Sequence, residues 1–552
     1  MFLESPVYYT IPQATAQAAH AAFPKGNMYL RLRDELGPIY SNPDFAHLFP
    51  THGQPALAPA RLALVTVMQI VDGLSDVEAA DAVRDRLSWK YALALDLDDP
   101  GFDASVLCEF RKRLLAGGAE TVLLDAFLTR LVDQGLLKAR GRQRSDSTHV
   151  LASIRTLTRL MLVGETLRAA LNALALVAPA WLQAVSPPVW FERYSRRVEE
   201  YRLPVAKGER AELAATIGAD GVELFQAVFG PTAPAEVRAL PAVDILRQVW
   251  LQQYYAPDAT GQTTWRTLDD TPPPAQLIHS PYDLDARYST KKELHWVGYK
   301  THITESCDAD APHLITHVET TVATVPDCKA PDMIHTALAA KALLPSEHLL
   351  DRGYVHADVV VSGYTDHGVT LVGPVPEDNH WQARAQAGFD VACFVVDWEA
   401  RQATCPQGIT SSKWSATHNR NGHDIINIRF PVRACRSCPV RAQCTRSAEG
   451  SREITVRPQA HHAVLQSARQ RQHTATFRQE YAVRAGIEGT LSQGIRAFDL
   501  RHTRYIGLAK TRLHQVLVAV ALNLVRLFAW FSETPQAGTR TSPFAALAPQ
   551  PM

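Results

Sequence analysis

The feature that most constrains the fold is an acid-bearing strand separated from the rest of its sheet. A dense basic stretch (Lys138, Arg140, Arg142, Arg144) leads into a β-prone run, Asp146-Ser147-Thr148-His149-Val150. Strand-like alternation returns only near His295, at 296–305 and 313–321. A helix at 331–343, a short apolar strand His348-Leu349-Leu350, a helix at 357–367 and a buried strand at 369–375 follow. Between them, 151–275 is Ala/Leu-rich helical sequence broken at Ser186-Pro187-Pro188 and Thr271-Pro272-Pro273-Pro274. That order predicts an α/β sheet with a helical insertion after its first strand.

The flanking regions differ. Residues 1–137 read as helical: 61–72 and 76–86 carry apolar residues at helical spacing, with Ser75 placed to cap the second. After Asp99-Pro100-Gly101, a third helix is entered at Asp103 or Ser105. It carries Val106, Leu107, Phe110 and Leu114 inward and Arg111, Lys112 and Arg113 toward its end. Two short helices, a turn and a basic helix resemble a helix-turn-helix that reads bases through Arg111 and Arg113. A plain helical bundle with a solvated basic face fits the same residues. Residues 376–456 break the α/β rhythm with short strands, turns and a cysteine cluster. The chain is helical again over 457–533, and the Pro/Ala/Ser/Thr-rich tail 534–552 is expected to be disordered. The expected units are therefore 1–137, the first core strand 138–152, the helical insertion 153–285, the core 286–375, the β-rich insertion 376–456, the C-terminal core helices 457–533 and the tail.

Charge excludes some functions. Lys and Arg total 56, as do Asp and Glu, so no global field draws the chain to nucleic acid or membrane, and such a role must come from local patches. The most apolar stretch, 517–531, is interrupted by Asn523 and Arg526 and reads as a buried helix too short to span a bilayer. The N-terminus lacks a basic region followed by an apolar run, so a cytoplasmic protein with no membrane partner is expected. No Walker or Rossmann glycine loop is present.

Three acids stand at informative places. Asp146 lies within the first strand, where Arg144 could neutralise it. Asp351 follows a buried strand and precedes a glycine turn, a position where open α/β sheets place ligands. Glu488 shares a helix face with Arg484, four residues earlier, after Tyr481. Arg496, Arg501, Arg504, Lys510 and Arg512 follow, opposed only by Asp499. Basic side chains neutralise phosphates while carboxylates hold divalent ions, which is what a phosphodiester substrate requires.

Asp-Ser-Thr on a first strand, Asp-x-Gly-Tyr after a later one and Tyr-x2-Arg-x3-Glu on a late helix resemble the bacterial insertion-sequence DDE transposases. The resemblance extends to Leu74-Ser75-Asp76, to Phe110-Arg111-Lys112-Arg113-Leu114 and to Arg504-Tyr505-Ile506-Gly507-Leu508-Ala509-Lys510-Thr511 with Ala521-Leu522-Asn523-Leu524. Within that group the chain is most similar to the longer, cysteine-containing insertion-sequence family eleven-eighty-two. The resemblance implies an RNase H-like core and two Mg²⁺ (or Mn²⁺) ions held by Asp146, Asp351 and Glu488. It further implies binding to terminal inverted repeats and target DNA, strand cleavage and transfer, and a homodimer on DNA at the bacterial nucleoid. Tyr481, Arg484, Arg496, Arg501, Arg504, Lys510 and Arg512 become candidate DNA contacts. The sequence departs from the pattern after Glu488. The basic residue of related elements falls at Ile495 here, so Arg496 or Lys510 takes that role. An inactive, domesticated DNA-binding copy and a metal-dependent nuclease of the same fold are the alternatives. The intact acids favour activity.

A second constellation is Cys405-Pro406-x-Gly408 with Cys435-x2-Cys438-Pro439-x4-Cys444. Two cysteines at x2 spacing grip one ion from a tight turn and two more close a tetrahedron, which predicts structural zinc. His418 and His423 could substitute as ligands, and reduced or disulfide-linked cysteines without a metal are the competing reading.

Overall fold

The computed structural model describes residues 9–534 apart from 51, 53–55, 259–262, 379, 386, 420, 421 and 448, together with Leu547. The tail expected to be disordered lies almost wholly outside the described residues.

The main sheet has six strands: β1 (Arg140–Leu151), β2 (Arg287–Lys291), β3 (Leu294–Ser306), β4 (Ile315–Val322), β5 (Pro345–Leu349) and β6 (Thr370–Val372). Their order is β2-β3-β1-β5-β6, with β4 also paired to β3. β1 runs antiparallel to β3 and parallel to β5, and β5 runs parallel to β6. Antiparallel strands can be joined by tight turns, whereas each parallel pair needs a crossover. The helix Ala357–His367 supplies one between β5 and β6. β2 was not foreseen. It pairs only with the first residues of β3 and is mostly exposed, so it lacks the inward apolar stripe that betrays a strand.

One face of this sheet shares a continuous apolar core with the N-terminal helices and the last helix, Leu508–Phe531. That helix begins nine residues earlier than the apolar run suggested. Two helices, Arg159–Val177 and Leu508–Phe531, are long and apolar enough to cross a membrane, and both are mostly buried within the protein. Asn523, which interrupts the apolar run, is fully buried. Its side chain accepts the N–H of Ile315 at 2.7 Å and donates to the same residue's carbonyl at 2.9 Å, finishing the open edge of β4.

Between β1 and β2, helices from Arg159–Val177 to Pro241–Gln253 pack around a second core that includes Leu167, Trp190, Leu224 and Trp250. Beyond β6 come two small sheets. One is the hairpin β7 (Val395–Asp397) and β8 (Gln402–Thr404). The other comprises β9 (Lys413–His418), β10 (Asp424–Arg429) and β11 (Glu453–Val456), all antiparallel. Their core is small: Val391, Phe394, Ala403, Ile428, Phe430, Ile454 and Val456.

Candidate active site

Strand pairing brings the two aspartates together. Arg144 on β1 sits beside Leu349 on β5 in parallel register, and continuing that register by two residues sets Asp146 beside Asp351. Asp146 accepts its neighbour Ser147's N–H at 2.7 Å. Asp351 lies two residues beyond the end of β5, in a turn where it accepts the N–H of Gly353. Glu488 comes from the first turn of the helix Gly486–Phe498. The late segment is not one continuous helix. Ala475–Ala482 passes through a 3₁₀ turn, Val483–Ala485, before Gly486–Phe498 begins, and Arg484 sits in that turn.

Arg484 ties the three acids together. Its Nη2 lies 2.6 Å from Asp146 Oδ2 and 3.9 Å from Asp351 Oδ2, and its Nη1 lies 3.2 Å from Glu488 Oε1. The carboxylates grade from sheltered to open, with side-chain exposures of 15%, 39% and 66% for Asp146, Asp351 and Glu488. The partner of Asp146 is thus Arg484, not Arg144. Burial pushes the Asp146 carboxyl above its ordinary range against the pull of Arg484. Burial also pulls the Arg484 guanidinium down, but Asp146, Tyr481, Asp351 and Glu488 more than offset it and hold it up.

Three carboxylates against one guanidinium leave two negative charges uncompensated. Among the described residues, no group of three or more His, Cys, Asp or Glu is drawn in closely enough to hold a metal as it stands. The donor set nonetheless fits a divalent ion, since all three acids reach one cation and their oxygens are hard ligands.

A buried charge network, missed by sequence reasoning, holds the Glu488 helix. Glu305 on β3 is fully buried. Its Oε1 accepts from Arg144 Nε at 2.7 Å, and its Oε2 accepts from Thr490 Oγ1 at 2.6 Å and Arg526 Nη1 at 2.7 Å. Arg526 also donates to Thr490 Oγ1 and to the carbonyl of His313. The helix therefore meets the sheet two residues from Glu488, and Arg144 two residues from Asp146 also donates to the Val483 carbonyl. A Cβ on Gly486 would lie 2.1 Å from Arg144 Nη1, so any larger residue there would have to displace the Arg144 guanidinium. Arg526 interrupting an apolar helix was the one sequence signal of this network.

Tyr481 is half-buried and stacks on Phe477, which packs with Cys307, Leu349 and Val372. Arg496 and Lys510 are exposed. Arg501 donates to Thr148 Oγ1 at 3.0 Å, and Arg504 reaches the Leu74 carbonyl. Arg512 lies 3.6 Å from Glu319. On the helix Ser105–Ala116, entered where Asp103 accepts the Ser105 N–H, two of the three expected DNA contacts are engaged internally. Arg111 is buried, 2.5 Å from Asp76 and against the Tyr505 ring. Arg113 lies over Phe49 and donates to the Leu48 carbonyl. Lys112 is exposed beside Glu109.

None of the eight cysteines is in a disulfide. Cys405, Cys435, Cys438 and Cys444 line one cavity of about 300 Å³. The two histidines considered as substitutes bond elsewhere, His418 with Asp424 and His423 with Asp358.

The mixed α/β sheet and the helix Gly486–Phe498 thus gather two Asp and one Glu around one guanidinium. Residues 404–528 match the family model described as Transposase DDE domain, a range that includes Glu488 and the four cysteines. Residues 17–113 match the model described as Transposase domain (DUF772), a range that ends within the helix Ser105–Ala116, at Arg113. No curated protein matches the chain. The two matches support a DDE transposase, and with the mixed α/β architecture they fit a general RNase H-like fold.

Proposed function

We propose that the chain is an insertion-sequence DNA transposase of the cysteine-containing group named above. It binds its element's terminal inverted repeats, cuts them and joins them to target DNA, acting as a homodimer on the DNA. Asp146, Asp351 and Glu488 are the catalytic carboxylates. The observation that carries this reading is the single guanidinium that reaches all three, across 205 and then 137 positions of sequence.

Two Mg²⁺ or Mn²⁺ ions, when bound, would stabilise the attacking and leaving oxygens of an in-line displacement. The protein's part is to hold the acids. Asp146 is fixed by its strand and the Ser147 N–H, Asp351 by its glycine turn, and Glu488 through Thr490 and Glu305. Arg484 balances part of their charge at rest and turns to a DNA phosphate in the complex. Arg496, Arg501, Arg504, Lys510 and Arg512 neutralise further phosphates, with Tyr481 beside them. Lys112 remains an outward-facing candidate on the N-terminal basic helix. Arg111 and Arg113 support that helix instead of reading bases.

The test is incubation with Mg²⁺ or Mn²⁺ and DNA carrying the gene's own flanks. Nicks at both element ends are expected from the wild type and none from Asp351→Asn. No nicking with either ion, or equal nicking by the variant, overturns the reading. Cutting without regard to the ends favours the nuclease alternative.

A further inference from the structure

The two short helices that carry Cys435 and Cys444, with Cys438 in the turn between them, have no fully buried apolar side chain of their own. Val432–Arg436 and Arg441–Cys444 bury no residue, yet Cys435 and Cys444 on them pack against the small core. A helix of four or five residues has too few hydrogen bonds to persist unaided. What these turns share with the sheet is sulfur: Cys405, Cys435 and Cys444 pack at the margin of its small core, and Cys438 completes the ring around the cavity.

We propose that Cys405, Cys435, Cys438 and Cys444 bind one structural Zn²⁺ that fastens these helices to the small sheet. The local backbone suits a metal knuckle at two places. Cys405 donates its N–H to the Ile409 carbonyl at 2.9 Å and accepts from the Gly408 N–H at 2.8 Å, with Gly408 in the left-handed region at φ +77°. The Cys438 carbonyl accepts the Arg441 N–H, turning the chain just after the second thiol of the x2 pair. Around the cavity, Arg452 Nη1 donates to the Cys444 carbonyl, and Arg441 donates to the Cys435 carbonyl. These guanidiniums suit a site that four thiolates would leave negative. The thiols stand apart at present, and binding requires the turns to close inward on one point. All four positions would be taken by sulfur, leaving none open for water, so the metal's role is architectural.

The proposal does not depend on the transposase reading, and its test uses the full chain without DNA. The protein, purified reduced from zinc-supplemented culture, is expected to carry about one equivalent of zinc per chain by mass spectrometry of the metal. Replacement by Co²⁺ is expected to give thiolate-to-cobalt charge-transfer absorption and the visible bands of tetrahedral cobalt. Cys405→Ser and Cys438→Ser each lower zinc content several-fold, whereas Cys393→Ser, at an exposed thiol outside the cavity, leaves it unchanged. If the serine variants aggregate, the wild-type cobalt spectrum decides alone. Less than about a tenth of an equivalent of zinc with no charge-transfer band overturns the proposal. So does an octahedral cobalt spectrum, or a chain two hydrogens lighter per bridge because the thiols have paired.

Discussion

The six-stranded sheet and the small β9–β11 sheet solve the same problem, holding polar groups in place, by different means. The large sheet lies against a core running from the N-terminal helices to Leu508–Phe531, and beside that core it shelters a charged hub. Glu305 has no exposure and is met by two arginines and a threonine. The core that the small sheet shares with the β7–β8 hairpin has seven buried apolar residues and, among the described residues, no comparable ionic hub. What converges there instead is four thiols. Burying charge is costly unless every partner is in place, and a large surrounding core can offset that cost. A core of seven side chains has little to offset it with, and such units generally need a staple.

The largest expected effect tests whether the large sheet's order serves chemistry. Asp351→Asn should lower end cleavage by about a thousandfold or more, corresponding to several kcal/mol of lost transition-state stabilisation, while gel-shift affinity for the element ends is retained. Parallel loss of binding and cleavage would make Asp351 a folding residue. Next, Glu305→Gln leaves Arg144 and Arg526 buried without a counter-charge and should cost about 3–5 kcal/mol in urea unfolding. Adding Arg526→Gln should recover part of that loss. A neutral Glu305→Gln would erase the contrast between the sheets.

Acid should also act mainly on the large sheet. Burial pushes His302, His335 and His514 down to about 4 and His348 well down, favouring the neutral ring in the folded state. The unfolded chain therefore takes up protons first. Stability is fully present above about pH 6.5 and is lost as pH falls toward about 4, by on the order of 3 kcal/mol for each of His302, His335 and His514. Thermal scans across that window check it, and a flat profile contradicts it. Arg111→Ala should cost about 1–3 kcal/mol through loss of the Asp76 contact, with no change in DNA sequence preference. The smallest effect is expected at the exposed Lys510 and Arg496. Alanine at either should weaken binding to all DNA alike and flatten the salt dependence by about one unit of slope.

The sequence carried the chemistry better than its supports. The convergence of Asp146, Asp351 and Glu488 was legible through the resemblance, whose three motifs each carry one of these acids. Five strands of the sheet and two of its helices were legible from their apolar patterning. β2 was not, because an exposed edge strand has no stripe. The Glu305 hub was not, because its partners Arg144, Thr490 and Arg526 come from three distant segments and only their convergence gives them meaning. Arg111 looked like a DNA contact because a basic helix end resembles a solvated one. Nothing local records that Asp76 and Tyr505 turn it inward.

Arg484 has a further consequence in thermodynamic linkage. Its guanidinium cannot bind a DNA phosphate and neutralise Asp146, Asp351 and Glu488 at once. On the proposed function, DNA that takes Arg484 away unmasks the acids and raises their affinity for divalent ions. Reciprocity then requires those ions to tighten DNA binding by the same factor. The free protein would hold its ions weakly and load them on its own ends, so readiness to cut would be a property of the complex and not of the chain alone.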